Sequence, residues 1–159
     1  MVKTLKADWY FIIPATLLWL AALIVTAWDF IYLQKSVFRF EFIKLIGVSL
    51  ILIGLALRAA GRKALSHHFS YALRIIDQHE LVTTGIYRYI RHPAYSGDLL
   101  FHYGVTLLFS SLYGFMIMLL LIPCFLYRIR VEENMLIEQF GQEYLEFMQT
   151  TNKLLPYLY

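Results

Sequence analysis

His79-Glu80-Leu81-Val82-Thr83-Thr84-Gly85-Ile86-Tyr87-Arg88-Tyr89-Ile90-Arg91-His92-Pro93-Ala94-Tyr95-Ser96-Gly97 is a polar stretch with long apolar runs on both sides. It brings two His, two Arg and three Tyr together around a rigid Arg-His-Pro step. Side chains of that kind between greasy segments need a chemical reason. The flanking runs decide the fold.

Upstream lie two apolar runs, 9–33 and 42–60. Each is long enough for a helix crossing a hydrocarbon core of ~30 Å, which takes roughly 20 residues. In the first, Pro14 stands near the start, and Trp9, Tyr10, Trp28 and Tyr32 suit the two water interfaces. In the second, Gly47, Gly54 and Gly61 recur every seven residues on one helical face, which lets another helix backbone approach closely. Downstream, 97–110 and 112–127 read as a tight helical hairpin turning at Ser110-Ser111. The first arm is short for a full span, so its start is expected to be shielded by protein or to lie near the interface. Pro123 predicts a kink in the second arm. The segment 128–159 has the mixed amphipathic spacing of a polar helix, with Gly141 as an interruption and Pro156 as an end.

Composition agrees with a membrane domain. The chain is 60% hydrophobic, against about 45–50% for soluble domains. A small domain lacks the interior to hide that excess. The expected architecture is all-α: one domain, 1–159, of about four transmembrane helices with a connecting segment, 61–96, and a C-terminal amphipathic helix. The net charge of +3 sits in loops rather than in a patch, which reads as membrane topology and not as nucleic-acid binding. If Lys44 and Arg58 are counted with the loops they adjoin, one side of a four-span bundle carries eleven Lys and Arg and the other three. Both termini and the polar segment are then expected in the cytoplasm. The first apolar run is too long for a cleaved signal and reads as a retained helix. One cysteine, Cys124, allows neither an intrachain disulfide nor a thiolate metal cluster.

Three clusters are candidates for chemistry. Adjacent His67 and His68 point in different directions on a helix and read as polar interface residues; no metal site is expected. In the polar segment, Gly85 suits a turn, and Pro93 forces His92 out of the α region, fixing its ring relative to Arg91 and Tyr95. Taken alone, this cluster suits either a reaction site or an anchor for lipid headgroups. Arg128, Arg130, Glu132 and Glu133 continue directly from an apolar span, where unpaired charge is costly, so they are expected to face a protein interior or cavity.

In this order the clusters resemble the isoprenylcysteine carboxyl methyltransferase family and related membrane phospholipid methyltransferases. The resemblance rests on His79-x-Leu81-Val82-Thr83-x-Gly85-x-Tyr87 and Arg91-His92-Pro93-x-Tyr95-x-Gly97. After the hairpin it continues through Arg128-Ile129-x-x-Glu132-Glu133-x-x-Leu136, Phe140-Gly141-x-x-Tyr144 and Pro156. It implies S-adenosyl-L-methionine as methyl donor, held without a Rossmann domain on the cytosolic side. The implied cofactor residues are His79, Leu81, Val82, Gly85, Tyr87, His92, Tyr95, Glu132 and Glu133. Arg128 and Glu132 carry the implied catalytic roles, Arg128 as a planar fork on a substrate carboxylate. The implied acceptor is lipophilic, a prenylcysteine-like carboxylate that reaches the site from the bilayer. Asp98 departs from the family, which often has a neutral or aromatic residue there. The string Arg91-His92-Pro93-x-Tyr95-x-Gly97-Asp98 also looks like part of the membrane sterol reductases, which use NADPH. Glu132 and Glu133 suit a cationic cofactor better than a phosphate-bearing one. A scaffold that keeps the fold without the activity is the third reading.

Overall fold

A computed structural model describes residues 5–33, 41–65 and 81–154. Helix α1, Leu5–Trp28, runs into a π-helical turn, Asp29–Leu33. Helix α2 is Glu41–Leu65, followed by a 3-10 turn at Gly85–Arg88. Helices α3, Pro93–Leu108, and α4, Leu112–Leu119, form the hairpin. Helix α5, Leu121–Phe140, and α6, Gln142–Thr150, complete the chain. No strand occurs among the described residues. Three segments are long and apolar enough to cross a membrane: Trp9–Leu33, Glu41–Leu65 and Leu112–Phe140. Helix α3, with 16 residues, reaches only about 24 Å at ~1.5 Å per residue, in keeping with the short arm seen in the sequence.

The glycine face of α2 packs backbone to backbone against α3. A Cβ on Gly54 would lie 2.6 Å from the Gly97 carbonyl oxygen and 2.8 Å from the Phe101 nitrogen. Gly47 meets Gly104 in the same way, and Gly61 meets the Pro93 ring. The antiparallel ladder therefore ends at the residue after His92, so helix packing in the apolar phase fixes where the polar segment begins. Arg58 clamps the ladder with an ion pair to Asp98 at 2.5 Å, which gives the unusual Asp98 a packing partner. Since neither backbone can yield without parting the helices, Gly54→Ala should cost about 1–3 kcal/mol by overpacking. The loss is read as a lowered unfolding temperature in detergent; an unchanged value would mean that the helices are not in contact there.

Helix bounds differ from the sequence expectation most clearly at α2 and α3. Helix α2 runs on to Leu65, past Ala60, because Arg62 and Lys63 continue the helix at its polar end. Helix α3 begins at Pro93 rather than Gly97, since proline's fixed φ suits the first helical position and its missing N–H costs nothing there. The kink assigned to Pro123 falls at Leu120, between α4 and α5. The proline ring clashes with the carbonyl four residues earlier, which is Leu119, the last residue of α4. The hairpin turn is as read: Ser111 caps α4 by accepting the Gly114 N–H at 3.0 Å. Gly141 separates α5 from α6 at φ +56, a backbone region that other residues rarely enter.

Candidate active site

Pro93 holds His92 at φ −125, ψ 58, outside the helical region. The tail then pins this short extended piece from the side. Ile90 and Asn152 form a parallel bridge. The Arg91 N–H donates to the Asn152 carbonyl at 2.9 Å, the His92 N–H to Lys153 at 3.2 Å, and the Asn152 N–H to Tyr89 at 3.1 Å. The Ser96 hydroxyl donates to the Leu154 carbonyl at 2.5 Å. Residues some sixty positions apart are thereby locked in register.

Side chains complete the lock. Glu133 is 5% exposed. Its Oε1 accepts from Arg91 Nε at 3.0 Å and lies 3.3 Å from His92 Nε2, while its Oε2 lies 3.1 Å from Lys153 Nζ. A carboxylate only accepts, so His92 Nε2 carries a hydrogen. Arg91 Nη1 also donates to the Met148 carbonyl at 3.0 Å and to the Thr151 carbonyl. These are carbonyls at the end of α6, where a cation suits the helix dipole.

A second chain of bonds runs beside the first. Arg128 is 5% exposed; its Nε donates to the Tyr95 hydroxyl at 2.8 Å, and that hydroxyl donates to Glu132 Oε2 at 2.6 Å. The Arg128 guanidinium also lies 4.8 Å from the centre of the Phe11 ring. The Tyr95 ring stacks on His92, with centroids 5.6 Å apart, and meets Phe125 edge-on at 5.7 Å. A buried cation, a half-buried phenol and a half-buried carboxylate are thus bonded in sequence at the polar end of the apolar helices.

The remaining expected residues form an adjoining wall. Leu81 and Val82 are half-buried against Tyr87, Tyr144 and Phe147. Gly85 starts the 3-10 turn at φ +64, and this turn carries Tyr87 inward. Burial, and then the charge of Glu132, raise the Tyr87 phenol above its ordinary pKa. Burial, and then Glu133, do the same to Tyr144. Both rings are therefore neutral at physiological pH. The Tyr144 hydroxyl is buried and has no hydrogen-bond partner among the described residues. His79, His67, His68 and Pro156 lie outside the described residues.

The fold therefore gathers Tyr87, His92, Tyr95, Arg128, Glu132 and Glu133 around the junction of the polar segment with α5 and α6. Three residues here carry no role in the sequence reading. Arg91 and Tyr144 stand inside the matched motifs, and their spacing was the available signal. Lys153 lies in no motif, and only the return of the tail brings it to Glu133.

The sequence profile of the phospholipid methyltransferase family matches residues 42–143. The chain is 34% identical over 123 residues to a probable protein-S-isoprenylcysteine O-methyltransferase of Oryza sativa subsp. japonica; the match covers 76% of this chain and 64% of that protein. It is 32% identical over 116 residues to the protein-S-isoprenylcysteine O-methyltransferase of Saccharomyces cerevisiae, covering 71% of this chain and 48% of the relative. The chain thus spans about half to two thirds of the length of these curated relatives. Among solved structures, the fold is similar to that of a eukaryotic intramembrane Ras methyltransferase, isoprenylcysteine carboxyl methyltransferase. The TM-score is 0.77 at 24% identity, over 90% of this chain and 52% of that one. With a family profile matched over residues 42–143, from α2 into the first turn of α6, the chain belongs to the phospholipid methyltransferase family.

Proposed function

We propose that the protein is a membrane methyltransferase that takes the methyl group of S-adenosyl-L-methionine and gives it to the carboxylate of a lipophilic, prenylcysteine-like acceptor. The observation that carries this reading is the Arg128–Tyr95–Glu132 chain. It sets a buried cation and a carboxylate on either side of one phenol, where apolar helices meet the polar segment. Each charge suits one reactant. Glu132 suits the positively charged donor, and Arg128 suits an acceptor carboxylate. The relatives' names, protein-S-isoprenylcysteine O-methyltransferase, favour such an acceptor.

The residues present fit such a donor. Among the described residues Glu132 engages Tyr95 through Oε2 alone, which leaves Oε1 for an ammonium or ribose hydroxyl. The unpartnered Tyr144 hydroxyl offers a further hydrogen bond. When bound, the donor supplies an already activated methyl on a sulfonium. The chain's own part is to hold, align and exclude water, effects that supply much of the rate in a displacement of this kind. The protein need not remove a proton from a carboxylate that is ionised at neutral pH. The site agrees: Tyr87 and Tyr144 stay protonated, Tyr95 spends its proton on Glu132, and His92 Nε2 faces Glu133 as a donor. An amine acceptor would need a base, and these groups are poorly placed to be one. The count of Lys and Arg on the two sides supports a site that opens to the cytoplasm.

Calorimetric titration of the detergent-purified protein with S-adenosylhomocysteine, with NADPH in parallel, tests the donor. Binding of the former alone is expected, and Glu132→Gln should weaken it about 10- to 100-fold, the worth of one charge-assisted bond. Binding of NADPH alone would move the protein to the reductases, and binding of neither would favour the scaffold reading.

A further inference from the structure

A second buried polar group lies at the far end of the bundle. Phe11 of α1 stands against Arg128, and Asp29 follows about five turns later, roughly 27 Å along the helix axis. Asp29 and Thr26 are each 3% exposed. With Ala22 they make one buried face at four- and three-residue spacing. That face packs on α4 across Gly114: a Cβ there would collide with Thr26 Oγ1 and lie 3.0 Å from Ser111 Oγ. Both hydroxyls thus stand around the same point. Further out, the Phe30 ring meets Phe109 edge-on at 5.5 Å. Asp29 is therefore placed where α1 ends beside the Ser110-Ser111 turn of the hairpin.

Two oxygens on this face are orphaned. Asp29 Oδ2 and Thr26 Oγ1 are buried without a hydrogen-bond partner among the described residues, and no ion pair reaches Asp29 among them. Buried charges in proteins are paired or coordinate metal ions. The backbone sharpens the demand. Helix α1 with its π-helical turn, and α3, both end here, and neither has a basic residue in its last turn. Each helix C-terminus brings about half a negative charge, and the start of α4 returns about half a positive one. With the carboxylate, this end of the bundle carries about one and a half negative charges. On α2, which packs on α3, Lys44 is engaged with Glu41 at 2.8 Å. The π-helical turn Asp29–Leu33 is itself a rare geometry, frequent at functional sites.

We propose that Asp29 and Thr26, with the Ser111 hydroxyl, bind a small monovalent cation of the size of sodium, which clamps α1 to the α3–α4 hairpin. All three side chains offer hard oxygens, which do not suit the softer transition metals. Ser111 Oγ accepts from the Gly114 N–H, and a hydroxyl oxygen has a second lone pair for a cation. The carboxylate count decides the charge. Among the described residues no three His, Cys, Asp or Glu side chains converge. One carboxylate among neutral oxygens balances one positive charge, whereas divalent sites draw on several. In membrane proteins the carbonyls of unwound turns and helix C-terminal ends complete sodium sites, and the end of α1 is such a place. The cation touches neither reactant, and its site stands whatever reaction the Arg128–Tyr95–Glu132 chain performs.

The test unfolds the full chain in detergent by heat while sodium chloride replaces choline chloride stepwise at constant ionic strength. Between sodium-free buffer and about 150 mM sodium the unfolding temperature should rise by roughly 4–8 °C along a saturating curve, the shift given by a ligand at about 30 times its Kd. Asp29→Asn keeps the shape and removes the charge. Its sodium response should vanish, and in sodium-free buffer it should unfold at or above the temperature of the unsubstituted protein, since no charge is left buried alone. Thr26→Val should raise the half-saturating sodium concentration about three- to tenfold, the worth of one polar contact. Both variants are read by their response to sodium, and the unsubstituted protein alone already decides. Equal unfolding temperatures in choline and sodium would overturn the cation site, as would a sodium response that survives in Asp29→Asn. Loss of stability in Asp29→Asn without any sodium response would assign Asp29 a Lys or Arg partner, and stabilisation by acid alone would assign it a proton; either result overturns the site as well.

Discussion

Replacing Glu133 by Ala should lower the stability of the protein by about 3–5 kcal/mol, the usual consequence of removing one partner from a buried ion pair. The carboxylate is buried among Arg91, His92 and Lys153, so its loss strands two fixed cations with no anion between them. The polar segment and the tail would then be held by the short backbone ladder at residues 89–92 and 152–153, the Ser96–Leu154 bond and the bonds of a now uncompensated Arg91 to the Met148 and Thr151 carbonyls. An apparent unfolding temperature in detergent should drop by on the order of 10 °C for a chain of this size. Glu133→Gln should fall between, since an amide oxygen still accepts one bond while the charge is lost. Arg91→Ala combined with Glu133→Ala should cost less than the sum of the two, because the second change removes a charge that the first has already stranded. A loss under about 1 kcal/mol, the range of solvent-exposed pairs, would mean that water reaches the cluster and that the tail is docked by other means.

This cluster also marks the limit of what the sequence makes legible. Local rules reach far: the seven-residue glycine spacing in α2 fixes a close helix contact, Pro93 fixes the backbone of His92, and Gly141 divides the last helices. Each of these acts within a few residues or along one face, so spacing alone reveals it. The pairing of Ile90 with Asn152 and of Glu133 with Lys153 leaves no such trace. It depends on α5 and α6 turning the chain back, and one parallel bridge has no periodicity to read. The same reason hides Tyr144, whose hydroxyl matters only because α6 folds against the 3-10 turn. Pro123 shows a signal and its effect lying a few residues apart within the expected arm. The residue signals a break, but its ring acts on the carbonyl four positions back, and the break lies there. Arg128, Glu132 and Glu133 were legible as charges that had to be satisfied in protein. Their neighbour relations were not: Glu133 turns to the tail while Glu132, one position earlier, turns to Tyr95.

That division of two adjacent carboxylates leads to the sharpest expectation for catalysis. Arg128→Lys should reduce kcat/KM for methyl transfer about 100-fold while leaving the affinity for S-adenosylhomocysteine within a fewfold. Lysine keeps the charge but loses the Nε–H that holds Tyr95 and the planar fork that suits a carboxylate; loss of a charge-assisted bond is worth about 1.5–3 kcal/mol. Donor binding is spared because Glu132 is bonded to the Tyr95 hydroxyl, which Arg128 reaches through its own separate bond. Tyr95→Phe should act on both halves, weakening donor binding and transfer together, since its hydroxyl is the one atom bonded to both charged groups. In the double variant the effects on transfer should fall short of additive, because either single change already breaks the Arg128–Tyr95 bond. If Arg128→Lys instead weakened donor binding as much as transfer, the arginine would belong to the cofactor half of the site. The acceptor carboxylate would then have to be held by another cation. Arg91 is a poor replacement, being already committed to Glu133 and to the carbonyls that end α6.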